Sequence, residues 1–192
     1  MKRKTLDMVL TGVGACVCVL LLVAGGLLVW AGSFANSQVH DQLARQDISF
    51  SPAKVMNTPK SETYPQRSVI EQYAGQQVLT GAQAKAYAYK VQHDVWTLPD
   101  HGVYALLATA AYQHPTTAKL KALVTVSFKG TTLQGLLLEA YAFSVFGEIA
   151  SIAAIVCFVL AGILLILTIL GFWHLRRVTD DEEFPHQKAA AA

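Results

Sequence analysis

The sequence predicts an all-α membrane protein: two transmembrane helices flanking a small helical extracytoplasmic domain, with the second transmembrane helix extended outward as a stalk. Three observations lead there. Met8 to Ala31 and Ile149 to Trp173 are apolar and uncharged, and each is long enough to cross a hydrocarbon core of roughly 30 Å as a helix. Between them, Phe34 to Leu138 supplies about 105 residues, enough for one small domain, with apolar positions at helical spacing. Basic residues flank both runs, Lys2, Arg3 and Lys4 before the first and Arg176 and Arg177 after the second. The expected boundaries are a cytoplasmic N-terminus at 1–7, a transmembrane helix at 8–33, an extracytoplasmic domain at 34–138, stalk and transmembrane helix at 139–173, and a cytoplasmic tail at 174–192.

Composition agrees with this and excludes some functions. The hydrophobic fraction is 53%, above the usual globular range of about 45–50%, and the mean hydropathy is positive. With a net charge of +2 and basic residues scattered singly through the middle region, no phosphate-tracking surface is expected and no nucleic-acid binding. Cys16, Cys18 and Cys157 all fall in apolar runs. The middle domain therefore relies on helix packing, its anchors or a partner rather than on disulfides.

The N-terminal run allows three readings: a retained anchor, a cleaved signal peptide with a small-x-small site at Ser33 and Ala35, and a lipoprotein signal at Val13-Gly14-Ala15-Cys16. Retention is favoured, because signal-peptide apolar regions are usually about 7–15 residues and this run continues to Ala31, well past Cys16. Basic residues close to a span stay in the cytoplasm, so both termini are expected there, in a multi-pass plasma-membrane protein. The middle region exceeds the roughly 60-residue limit below which loop charge steers topology. It is expected on the outer side.

Small residues recur every seventh position in both runs: Thr11, Cys18, Gly25 and Gly32 in the first, then Ala140, Gly147, Ala154, Ala161 and Thr168 in the second. Such spacing places each set on one stripe of its helix, where small side chains let backbones approach closely. Laid antiparallel, Thr11 meets Thr168, Cys18 meets Ala161, Gly25 meets Ala154 and Gly32 meets Gly147. The stripes serve a seam either within one chain or between chains.

The first helix is expected to continue outward through Phe34, Val39 and Leu43 and to end near Asp47. Ile48-Ser49-Phe50 alternates like a short strand, and Ser51 to Arg67, with Pro52, Pro59 and Pro65, reads as a surface loop. Ser68 is placed to cap a short helix carrying Val69, Ile70 and Tyr73, which Gly75 ends. Thr80 opens a clearer helix, with Ala84, Tyr87, Val91, Val95 and Leu98 along one face, and Pro99-Asp100-His101-Gly102 stops it. Val103 to Gln113 follows as a helix, ended by Pro115. Leu120, Leu123, Val124 and Phe128 line another, which Gly130 is expected to terminate, with Thr131 or Thr132 capping the last one.

That last helix should run unbroken from Thr132 through the membrane, since no proline intervenes. Glu139 and Glu148 would each cost several kcal/mol at mid-bilayer, so the part before Ile149 lies outside the hydrocarbon as a stalk carrying Leu136, Leu137, Tyr141, Phe143 and Phe146. Asp180 to Glu183 reads as a solvated acidic tail, and Ala189 to Ala192 as a low-complexity end.

Tyr73-Ala-Gly-Gln-Gln-Val78, Thr80-Gly-Ala-Gln-Ala-Lys-Ala-Tyr-Ala88 and Phe128-Lys-Gly-Thr-Thr-Leu-Gln-Gly-Leu-Leu-Leu-Glu-Ala-Tyr-Ala-Phe143 carry a resemblance. The chain resembles the uncharacterised two-span membrane proteins of actinobacteria over its anchors, Phe34 to Ile48 and these motifs, and least over Pro99 to Pro115. The resemblance implies an architecture and no established activity. Some members carry an automatic label of aromatic ring-opening dioxygenase, which the residues here do not support.

Such an enzyme needs iron held by two histidines and a carboxylate. His40, His93, His101 and His114, with Asp94 and Asp100, include no pair at the i, i+3 or i, i+4 spacing that would preorganise a metal on a helix, and a His-x7-His pair at His93 and His101 is the nearest approach. No nucleophile elbow, phosphate loop or Cys-His arrangement occurs. No catalytic, cofactor-binding or metal residue is assigned, and a non-enzyme is expected. Glu148 reads as a marker of the bilayer boundary. Tyr87, Tyr89 and Trp96 concentrate aromatics on the Thr80 helix, and Tyr89, off its apolar face, is the candidate contact surface. The expected role is a membrane-anchored structural or accessory protein of the cell envelope, with the lipid bilayer and a membrane protein or a second copy as partners. The alternative is an extracytoplasmic ligand-binding or sensor module, and the third class is a metal-dependent enzyme.

Overall fold

A computed structural model of the chain describes residues 3–56 and 66–177. Met1, Lys2, Pro59, Pro65, the acidic run Asp180 to Glu183 and Ala189 to Ala192 lie outside the described residues. Six α-helices are formed: α1 (Arg3–Gln46), α2 (Ala53–Met56), α3 (Arg67–Glu71), α4 (Gly81–Trp96), α5 (Tyr104–Gln113) and α6 (Ala118–Leu175), with a tight 3-10 turn at Pro99–Gly102. No strand forms among the described residues. Within α1 and α6 lie stretches long and apolar enough to cross a membrane. The chain divides into two compact units, Met1–Ser33 with Glu148–Ala192, and Phe34–Gly147.

In the first unit the two helices run antiparallel. A Cβ built on Gly171 would lie 2.8 Å from Thr11 Oγ1, one on Gly14 3.2 Å from Thr168 Oγ1, and one on Gly25 2.9 Å from the Phe158 ring. Cys18, Ala154, Ala161 and Thr168 are buried, whereas the large aliphatic side chains between them are exposed. An apolar surface of this kind suits a lipid surround, where only small residues on the facing stripes are covered.

The second unit has a core of Val39 and Leu43 from α1, Phe50, Ile70 and Val78, Ala84, Ala86, Ala88, Val91 and Val95 from α4, and Leu137 from α6. Helix α4 lies antiparallel against α6. Gly81 abuts Ser144, where an added Cβ would fall 2.4 Å from the serine Cβ, and Gly130 abuts Val95, at 2.4 Å from Cγ2. Phe50 fills the space beside α4, its ring 5.6 Å from that of Tyr73 and 5.3 Å from that of Tyr87.

Four local expectations are corrected. Gly130 does not end a helix, and neither Thr131 nor Thr132 caps one, because α6 runs continuously from Ala118 to Leu175. The glycine is used for close approach to Val95, worth more here than the roughly 1 kcal/mol a helical glycine costs, and the Thr131 hydroxyl donates back to the Ser127 carbonyl at 2.9 Å within the helix. Ser68 is not the cap of α3. Gln66 holds that position without a side-chain bond, its carbonyl accepting from Val69 N at 3.0 Å and Ile70 N at 3.2 Å. Ile48 to Phe50 makes a single antiparallel bridge, Ser49 to Gln77, rather than a strand. Val103 is the extended residue before α5, not its first turn.

Candidate functional site

The site is built on α4, whose start is held by a capping box. The Thr80 side chain accepts from Gln83 N, and Gln83 Oε1 accepts from Thr80 N at 3.1 Å and from Leu79 N at 2.9 Å. Two donors left over at a helix N-terminus are thereby satisfied reciprocally. The stripe Ala84, Ala88, Val91 and Val95 is buried. Beside it, Tyr89, Gln92, His93 and Trp96 follow the i, i+3, i+4, i+7 spacing of one helix face. Together with Gln66, at the start of α3, they line a cleft of about 370 Å³.

The turn after α4 packs against Trp96, one of the lining residues. Asp100, His101 and Gly102 all have positive φ, at 53°, 52° and 66°. This places the His101 imidazole flat against the Trp96 indole, ring centroids 4.1 Å apart at an interplanar angle of 19°. Two buried contacts hold the turn: the Ser127 hydroxyl donates to the Gly102 carbonyl at 2.6 Å, and Gly102 packs so closely on α4 that a Cβ would meet Val95 O at 2.4 Å. Left-handed backbone at non-glycine residues persists only where surrounding structure over-determines it. Here α4 and α6 do so.

Among the described residues, two lysines on α4 have aromatic or acidic partners. Lys90 Nζ pairs with Asp94 at 2.8 Å along the helix. Lys85 Nζ donates to the Tyr141 hydroxyl at 3.1 Å and lies 4.4 Å from that ring's centroid. The accepting Tyr141 hydroxyl holds the Lys85 ammonium above the usual lysine range, so it is fully charged at neutral pH.

Comparisons with protein-family models, with curated proteins and with solved structures returned no match to this chain. The reading of the site rests on its geometry.

Of the candidate residues, Tyr89 stands in the cleft. Its neighbours Gln92 and His93 were detectable as a set only through their spacing from Tyr89 and Trp96, and Gln66 carries no sequence signal, since it arrives from another element. The histidines are dispersed: His40 is exposed beside its neighbour Asp41, His93 lines the cleft, His101 stacks on Trp96, and His114 caps the end of α5. Among the described residues no three His, Cys, Asp or Glu side chains converge.

The small-residue stripes lie in the first unit, except that Ala140 and Gly147 belong to the second. Cys18 is buried, with Sγ donating to the Ala161 carbonyl at 3.4 Å. Gly25, Gly32, Gly147, Ala154, Ala161 and Thr168 are buried as well. Thr11 is half-buried, its hydroxyl donating to the Asp7 carbonyl at 2.8 Å, and it stands against Gly171. Gly25 and its neighbour make a controlled pair, because Gly25 faces Phe158 whereas nothing lies within 4 Å of a Cβ on Gly26. Gly25→Ile is expected to lower the thermal midpoint in detergent by several degrees, as overpacking by about 1–3 kcal/mol would. Gly26→Ile should leave it unchanged; equal effects would mean that the two helices do not meet at Gly25.

Proposed function

We propose that the protein is a membrane-anchored accessory component of the cell envelope, with both termini cytoplasmic and the Phe34–Gly147 unit working outside through protein–protein contacts. Two helices of sufficient length and apolarity and the basic flanks support the anchoring and its orientation. The observation that carries the contact role is an aromatic surface on α5 and the first turns of α6. The Tyr104 and Phe128 rings lie 5.8 Å apart yet are 47% and 56% exposed, and Tyr112 is 88% exposed. Soluble domains seldom leave such side chains grouped in water, and grouped aromatics mark association sites.

A photoreactive residue at Tyr112 or Phe128 in intact cells tests this. A crosslink at either position, absent when the probe replaces the exposed Gln72 at the end of α3, is expected; a product of twice the chain mass identifies a second copy, and any other discrete product a membrane-protein partner. No product at either aromatic position overturns the contact role. The second reading, an extracytoplasmic ligand-binding module, is favoured by the cleft at Gln66, Tyr89, Gln92, His93 and Trp96, where polar groups converge on a concave surface.

A further inference from the structure

We propose that the groove between α1 and α6 in the Phe34–Gly147 unit pairs with the same groove of a second copy of the chain, about a twofold axis that runs along it. The inference rests on the protein-contact reading and deepens it, naming one partner and a face other than that of Tyr104 and Phe128.

The groove encloses about 210 Å³ and takes its lining from α1 and α6. On α1, Gln38, Gln42 and Gln46 recur every fourth position, so their side chains form a row along one wall. On α6, Glu139 and Phe143 stand one turn apart on the other wall, and the buried Val39 and Leu43 lie at the floor. The walls are accessible: Phe143 is 46% exposed, and Gln42, Gln46 and Glu139 are exposed. An apolar floor with polar groups at its margins is the make-up of a protein–protein seam.

A second copy is indicated because the two walls complement each other and not themselves. One wall offers amides, each with donors and an acceptor; the other offers a carboxylate, which only accepts. A twofold axis along the groove sets each α1 wall against the α6 wall of the other copy, and every pairing then occurs twice. Gln42 is the midpoint of the glutamine row, and Glu139 lies at the middle of the 136–143 stretch that α6 contributes. The two stretches are roughly 12 Å and 10 Å long, so their middles coincide. Gln42 of each copy therefore comes level with Glu139 of the other, amide N–H to carboxylate, which is the charge-assisted kind of hydrogen bond. A carboxylate drawn into a closing seam requires such a donor. With the axis across the groove instead, α6 would face α6 and the two Glu139 carboxylates would meet at the centre, which like charge opposes. Charge thus selects one of the two symmetric pairings.

Energy transfer between full-length chains fused to donor or acceptor fluorescent proteins, reconstituted in phosphatidylcholine liposomes over a range of protein densities, tests the assignment. Self-association of the unaltered chain is expected. Gln42→Glu sets carboxylate against carboxylate at both ends of the pairing and should weaken association roughly tenfold or more. Gln72→Glu, at an exposed glutamine beyond α3, should leave it unchanged. Mixing Gln42→Glu chains with Glu139→Gln chains restores amide against carboxylate between the copies but not within the Gln42→Glu chain. Mixed association should return to within about threefold of the unaltered level. Glu139→Gln by itself should weaken association; tighter association of that variant would mean that α6 faces α6, and overturns the proposed axis. Absence of self-association, or association indifferent to Gln42→Glu, overturns the second-copy assignment. Capture of a partner at Tyr112 or Phe128 in that event leaves the contact reading standing, and no capture at either removes both.

Discussion

Gly102→Ala is expected to destabilise the Phe34–Gly147 unit by about 3 kcal/mol or more, which lowers its thermal midpoint by roughly ten degrees or more. Two penalties coincide at this residue. Its φ of +66° is a conformation that alanine adopts only with strain, and the added methyl would sit 2.4 Å from the Val95 carbonyl oxygen and 2.5 Å from its Cγ1. The first contact is with backbone, so no rotamer change relieves it. Gly75 supplies the comparison: its φ is +72°, but nothing lies within 4 Å of an added Cβ, so Gly75→Ala should cost only the conformational part, about 1–2 kcal/mol. Thermal unfolding followed by circular dichroism on both variants separates the terms, and equal midpoints would show that the turn does not pack on α4 as described. Because Gly102 fixes His101 beneath Trp96, Gly102→Ala is also expected to shift the tryptophan emission.

Leu137→Ala is expected to cost about 2–5 kcal/mol, the range for truncating a fully enclosed leucine. Leu137 is 1% exposed in the core of the Phe34–Gly147 unit, in the cluster that also holds residues of α1 and α4. Leu136, one residue earlier, is 51% exposed, and Leu136→Ala should stay within about 0.5 kcal/mol. A chemical denaturation series on the pair reads the contrast directly. Comparable losses at the two positions would mean that α6 is rotated from the orientation described.

This pair shows where sequence reasoning stops. Leu136, Leu137 and Leu138 are three identical residues in a row, and both Leu136 and Leu137 were expected on the outer part of the last helix. Periodicity assigns them to a helix, but a run of leucines carries no phase, so nothing local says which one turns inward. Gly130 shows the same limit from the other side. Read alone, glycine followed by two threonines is a helix stop and a new cap; read against Val95, the glycine is the gap through which α4 and α6 meet. The stop was inferred from conformational freedom, whereas the tertiary contact uses only the missing side chain. At Thr80 the sequence was a sufficient guide to where α4 starts, because its capping partner Gln83, which the structure adds, lies within one turn.

What the amino-acid order determined unaided is the all-helical character, the two apolar stretches, the start of α4 at Thr80 and the turn that ends it, since each depends on groups a few residues apart or on bulk transfer from water. The cleft belongs to tertiary structure. Gln66 reaches it from α3, and His101 is turned onto Trp96 only because Ser127 of α6 and Val95 of α4 hold the Gly102 backbone in a left-handed conformation. Contacts between residues 25 or more positions apart depend on how each helix is rotated about its axis, and that rotation is set by the packing of the whole core rather than by any local run of residues.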